Sequence, residues 1–179
     1  MRLLKIIKAI LFISFSMTLF FIRDHFVLNL EYYIPSLMMA YGIFEFLHIL
    51  IKHKKEFYKE GSFYFGSIEL LLGIILLVFI NDFTTICVTW AIWSILRESI
   101  EIEEIVNGLL KGIPLILSII TIIESLVVIV LSTILIINPN EETALIHSYL
   151  LSVELILTAI IPLFRQKDNN IKEEESNFL

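Results

Sequence analysis

The sequence predicts an all-α membrane protein of six transmembrane helices, arranged as three repeated helical hairpins. Three observations predict it. Of the 179 residues, 58% are hydrophobic and the mean hydropathy is +0.88, well above the roughly 45 to 50% apolar usage of soluble domains. The apolar residues gather into six runs, each near the roughly 20 residues with which a helix crosses a bilayer. Polar turns begin near Arg23, Asn81 and Asn138, a spacing of 58 and then 57 residues. Each unit is therefore one outward helix, one turn and one returning helix.

The first run follows Arg2, Lys5 and Lys8 and ends near Ile22. It has the outline of a signal peptide, but Phe20, Phe21, Ile22 and Arg23 offer no small-residue cleavage pair, so a retained helix over Leu3–Ile22 is expected. A polar break at Arg23, Asp24 and His25 precedes the second run, Tyr32–Ile51. The stretch Lys52–Gly61 holds Lys52, Lys54, Lys55 and Lys59 and reads as a charged connection. The third run, Ser62–Ile80, contains Gly66 and Gly73 seven residues apart, hence on one helix face where other helices pack. After a short turn at Asn81 and Asp82 the fourth run starts near Thr84 and stays apolar to Leu96. An amphipathic continuation then runs from Arg97 through Asn107, with Gly108 marking its end. The fifth run, Gly112–Ile137, tolerates Pro114 in its first turn, where the missing amide hydrogen has no helical partner. Asn138, Pro139 and Asn140 stop it. The sixth covers Thr143–Phe164. Residues 1–164 thus form one six-helix domain, and 165–179, with Glu173, Glu174 and Glu175, form a polar tail expected to be disordered.

Basic residues orient the chain. Twelve of the thirteen Lys and Arg residues fall on the N-terminal side of the membrane and only Arg23 on the other, and basic loops stay cytoplasmic. A multi-pass protein of the inner (plasma) membrane with both termini cytoplasmic follows. Further seven-residue pairs of small residues recur: Ala9 with Ser16 and Ser125 with Ser132 on outward helices, Cys87 with Ser94 and Ser152 with Ala159 on returning ones. Such faces let helices approach closely where lipid supplies no hydrophobic drive.

Three short hairpins, a small residue near the start and middle of each outward helix, and the segments Tyr41–Leu47, Gly66–Asn81 and Glu124–Pro139 resemble the HdeD family. In the last segment Ser125 stands where the family has Gly, and Asn81-Asp82 stands where it has a Pro turn. That family comprises small bacterial membrane proteins with six helices, whose namesake is linked to acid resistance. The resemblance implies a fold and a membrane location. It brings no catalytic residues.

Depth singles out the charged residues. Glu69 lies twelve residues from Asn81, Glu124 fourteen from Asn138, Arg97 thirteen from Thr84 and Glu45 six from Ile51. At about 1.5 Å per residue all four fall in one layer, about 10 Å above the cytoplasmic edge of a core about 30 Å thick. Glu154 is expected nearer the midplane. A charge at the centre of a membrane helix costs about 2.5 to 3.5 kcal/mol, so these groups should face the bundle and pair. Arg97, the deep cation of this reading, is expected to pair with at least one of Glu45, Glu69 and Glu124. The layer is then an interhelical clamp, a relay for protons or ions or a ligand site, because a carboxylate removed from water favours its neutral form, or a set of groups that snorkel to the interface without mutual contact.

Other chemistry finds little support. Glu45 and His48 make half of a di-metal carboxylate motif without a second copy, so an interfacial histidine is expected and no metal. Glu98, Glu101 and Glu104 read as a solvated cytoplasmic face. No Gly-x-Ser-x-Gly elbow or Gly-rich phosphate loop occurs, so neither an enzyme nor a cofactor is expected, and Trp90 and Trp93 read as packing. A single cysteine, Cys87, cannot build a disulfide within one chain. The net charge of -6 comes from acids inside the apolar runs and in the tail, which marks no acidic face for a basic partner. The expected partner is the lipid bilayer, with anionic headgroups facing Lys52–Lys59; a homo-oligomer is compatible, and nothing points to nucleic acid. The expected function is that of a non-enzymatic HdeD-like membrane protein in envelope or acid-stress physiology. The alternative is a small proton or ion conductor.

Overall fold

The computed structural model describes residues 2–52, 61–80, 82–109 and 115–156. All the secondary structure among them is helical: α1 (Arg2–Phe21), α2 (Arg23–Leu28), α3 (Leu30–Lys52), α4 (Gly61–Phe79), α5 (Phe83–Leu109), α6 (Leu115–Ile137) and α7 over 141–156. The six long helices coincide with the six apolar runs. The seventh, α2, takes the place of the first polar turn. Two helices are long and apolar enough to cross a membrane, through Leu30–Ile51 and Ser118–Ile137, while Ile6–Phe21 and Phe63–Phe79 form shorter apolar helices. Helix α5 runs through Gly108 to Leu109, one residue beyond the expected stop. The polar tail 165–179, the end of the sixth run at 157–164, the lysines of the charged connection at 54, 55 and 59, and Pro114 all lie outside the described residues.

Two of the turns are built alike. The carboxylate of Asp82 accepts hydrogen bonds from the Thr85 hydroxyl and amide at 2.7 and 2.8 Å, and its carbonyl accepts from the Ile86 amide at 3.1 Å. Asp82 is therefore the N-cap of α5, satisfying amides that have no partner inside the helix. At α7 the side chain of Asn140 accepts from the Thr143 amide at 2.9 Å while the Thr143 hydroxyl accepts from the Asn140 amide at 3.2 Å. This is a reciprocal capping box, with Thr in place of Glu or Gln. The first turn differs. There α2 intervenes, and the Asn29 carbonyl accepts from the Tyr32 and Tyr33 amides to start α3.

Helix pairing differs from the expected hairpins. The closest backbone approaches join α3 to α4 and α5 to α6, helices consecutive at the ends opposite the Asp82 and Asn140 caps. Glycine explains the first pair. A Cβ on Gly42 would stand 2.5 Å from the Gly66 carbonyl oxygen, and one on Gly73 would stand 2.7 Å from that of Pro35. The predicted Gly66–Gly73 face thus packs on α3, at a separation any side chain would widen. On α6 the buried stripe is Ser118, Thr121, Ser125, Val128, Ser132 and Leu135, a three-four alternation along one helix face. The core between the layers is aromatic and aliphatic, with Phe12, Phe26, Ile34, Met38, Tyr41, Trp90, Leu135 and Leu151 buried in one cluster.

Candidate functional site

The charged residues converge on one level of the bundle. From α4, Glu69 points inward and is 1% exposed. Its Oε1 accepts two hydrogen bonds from α5, from Arg97 Nη1 at 2.6 Å and from Trp93 Nε1 at 2.8 Å. Arg97 and Trp93 lie four residues apart and so share a helix face, which lets one carboxylate oxygen engage both. The Arg97 guanidinium also lies over the Tyr41 ring of α3, its carbon 3.7 Å from the ring centroid. Three helices therefore meet on one cation, through a charge-assisted hydrogen bond and a cation–π contact. The second oxygen of Glu69 makes no hydrogen bond among the described residues.

Beside this pair stands a second. Lys8 Nζ of α1 lies 3.5 Å from Glu45 Oε1 of α3 and 5.6 Å from the Tyr41 centroid. Tyr41 thus has two cations near its ring. The expectation that Arg97 is the one deep cation is corrected here: Lys8 shares the level. The charge count had assigned Lys8 to the basic end of the first helix. Yet at about 1.5 Å per residue it enters α1 as far as Glu45 enters α3 from its far end.

Beyond that pair, three buried or half-buried carboxyl groups from three helices lie within electrostatic range of one another. Glu154 of α7 feels the charges of Glu98, Arg97, Glu124 and Glu101, and Glu124 of α6 those of Glu98 and Glu101. Glu154 therefore joins the layer, because α7 enters from Asn140 over the same number of residues as α6 spans from Glu124 to Asn138. Glu98 is the larger correction. Expected on a solvated face, it is fully buried, with both carboxyl oxygens lacking hydrogen bonds among the described residues. Sequence held a signal for this. Cys87, Trp90, Ala91, Ser94 and Glu98 follow helical spacing, and all five are buried. The Ser125 hydroxyl faces Glu98 without reaching hydrogen-bond geometry. Glu101 is half-buried, and the Glu104 side chain lies outside the described residues.

Comparison with known proteins was informative over the first half of the bundle. Residues 7–78 match the model of a short repeat of unknown function (DUF308), the family to which HdeD-like proteins belong. That stretch runs from α1 through nearly all of α4, and so carries Lys8, Tyr41, Glu45 and Glu69. No curated protein and no solved structure matches the chain.

Nearer the capped ends, polar side chains are also buried. His147 of α7 packs edge-on against Trp90 at 4.5 Å between centroids, with its Nε2 3.4 Å from the Ser94 hydroxyl. The Ser16 hydroxyl of α1 donates to the Ser152 carbonyl of α7 at 2.7 Å, tying the first long helix to the last. Among the described residues no three His, Cys, Asp or Glu side chains are grouped as metal ligands. Cys87 is a buried free thiol.

Proposed function

We propose that this chain is a non-enzymatic integral membrane protein of the HdeD type, in which the charged level is an interhelical clamp serving envelope or acid-stress physiology. One observation carries the reading: the distribution of polarity is inverted. Glu69, Glu98, Glu154, His147 and eight Ser or Thr residues on α1, α5, α6 and α7 are buried, while Ile10, Phe20, Leu71, Phe79, Ile116, Ile123 and Val130 face outward at 50% exposure or more. Outward apolar faces of this extent suit lipid, and inward polar groups suit helix association inside it. The clamp is tested by a double-mutant cycle. Removing one partner of a buried pair costs about 3 to 5 kcal/mol in soluble proteins. Arg97→Ala and Glu69→Gln should each lower the thermal stability of the purified protein, and combining them should restore part of the loss. Additive losses would dismiss the clamp.

A second reading, a proton or ion conductor, is favoured by Glu98 and Glu124, whose buried carboxyl oxygens have no hydrogen bond among the described residues. Proteoliposomes given a pH step separate the two. A clamp leaves flux at the level of empty vesicles; a conductor shows flux that Glu98→Gln or Glu124→Gln abolishes.

A further inference from the structure

Apart from Glu69 Oε2 on α4, seven buried polar atoms without a hydrogen bond gather in one part of the bundle. Among the described residues, Trp90 Nε1, Ser132 Oγ and His147 Nδ1 are buried without a hydrogen bond, and so are Ser125 Oγ, Glu98 Oε1 and Oε2, and Glu124 Oε1. These atoms come from α5, α6 and α7 alone, and they fall at two levels. Counted from Asp82, Asn138 and Asn140, residues Trp90, Ser132 and His147 lie roughly 9 to 12 Å along their helices at 1.5 Å per residue. Glu98, Ser125, Glu124 and Glu154 lie roughly 20 to 24 Å along. Ser94 stands between, with its hydroxyl 3.4 Å from His147 Nε2, one helical turn from Trp90 and one from Glu98. Trp90, Ser125, Ser132 and Glu98 are each fully buried.

A dry core would leave most of these groups unsatisfied, which native interiors rarely tolerate. Native interiors avoid this by bridging orphaned groups with ordered water, each molecule making about three hydrogen bonds. Both kinds of partner that such water needs are present: the Trp90 indole donates, the carboxyl oxygens of Glu98 and Glu124 accept, and the hydroxyls do both. Three other buried hydroxyls are satisfied. Ser16, Ser148 and Ser152 donate to backbone carbonyls, so they need no water.

We propose that α5, α6 and α7 enclose a water-filled path that leads from the end capped by Asp82 and Asn140, past Trp90, His147, Ser94 and Ser132, to the carboxyl groups of Glu98, Glu124 and Glu154. Its ligands are water and the protons that water carries, and it ends where Arg97, bound to Glu69, closes the layer. The inference rests on the second reading above, since it supplies the access a conductor needs.

The chain has two tryptophans, which makes the path readable by two indole signals. In protein carrying 15N-tryptophan and reconstituted in lipid bilayers, solid-state NMR should show magnetisation transfer from water to the Trp90 indole. That indole should exchange into deuterium at least tenfold faster than the Trp93 indole, which is held by Glu69. Ser132→Leu should plug the path and slow Trp90 exchange at least tenfold, with the Trp93 signal unmoved as the sign of an intact fold. In a Cys87→Ser background, silver ion, small enough for a file of waters, should react with single cysteines at Ser132→Cys and Ser125→Cys but not at the outward-facing Val130→Cys. A Trp90 indole as protected as Trp93 overturns the proposal. So does unchanged exchange in Ser132→Leu, or silver reaching Ser132→Cys and not Ser125→Cys. None of these outcomes bears on the Arg97–Glu69 clamp, which the stability cycle tests separately.

Discussion

Arg97 joins three helices because a guanidinium can do two things at once: donate in its plane and present its face to a ring. Lysine cannot. Arg97→Lys keeps the charge but gives up the contact over Tyr41, so it should recover less than half of the stability lost in Arg97→Ala. Thermal unfolding of the two variants checks this. Lys8→Met should matter less, because the Lys8–Glu45 pair is about a quarter exposed and such pairs contribute about 0 to 1 kcal/mol. A loss for Lys8→Met equal to that of Arg97→Ala would put the centre of the layer on the wrong cation. At this scale it was legible that Arg97 meets one of Glu45, Glu69 and Glu124, since counting residues from the turns places all four at one level, but not that the partner is Glu69. Nor was the burial of Glu98. It reads with Glu101 and Glu104 as a solvated face, and only the stripe of buried residues that precedes it on α5 shows which way it faces.

The pairing of helices follows from which faces are smooth. Gly42, Gly66 and Gly73 bring α3 and α4 together, and the space around each ranks the cost of adding one methyl group. On Gly42 it would strike the backbone of Gly66 and Leu70, and on Gly73 the Pro35 carbonyl and the Met39 side chain. On Gly66 the nearest atom is the Glu45 Cβ at 3.0 Å. Gly42→Ala and Gly73→Ala should therefore destabilise more than Gly66→Ala, as read by thermal unfolding in detergent; the reverse order would mean the crossing is looser than its geometry. The boundaries of the helices were legible to within a few residues because Asp82 and Asn138 to Asn140 interrupt long apolar runs. Partner choice was not, because a sequence places Gly66 and Gly73 on one face without saying whether α3 or α5 lies against it. The Asp82 cap makes its own prediction. Hydrogen bonds from the Thr85 hydroxyl and then the Thr85 amide hold the Asp82 carboxyl below its usual range. The folded state thus binds the proton less readily than the unfolded chain, so the cap is at full strength above about pH 4, the ordinary aspartate value, and weakens as pH falls through the lowered one. Hydrogen exchange at the Thr85 amide, compared at each pH with Asp82→Asn, should show protection in the wild type that declines in acid and no such decline in the variant.

For the whole molecule, the inverted polarity and the placement of charge make a single prediction about how the bundle sits. Exposed Ile, Leu, Val and Phe cover the long helices, whereas the capped turns at Asp82 and Asn140 are polar, short and free of Lys and Arg. By the order of the apolar runs, twelve of the thirteen basic residues are expected toward the opposite end, and basic segments remain on the cytoplasmic side. The capped ends should then face outward across the membrane, which also puts the mouth of the polar column at the external solution. Single cysteines at Asp82→Cys and Asn140→Cys, in a Cys87→Ser background whose thermal stability has first been checked, should react with an impermeant thiol reagent added to intact cells. Cysteines at Lys55→Cys and Lys172→Cys should react only after the cells are opened. Labelling of the second pair in intact cells would invert the bundle and place the acidic cluster near the outer face. Labelling of all four would mean that the chain does not cross the membrane, and the charged level would then need an account as the core of a soluble bundle.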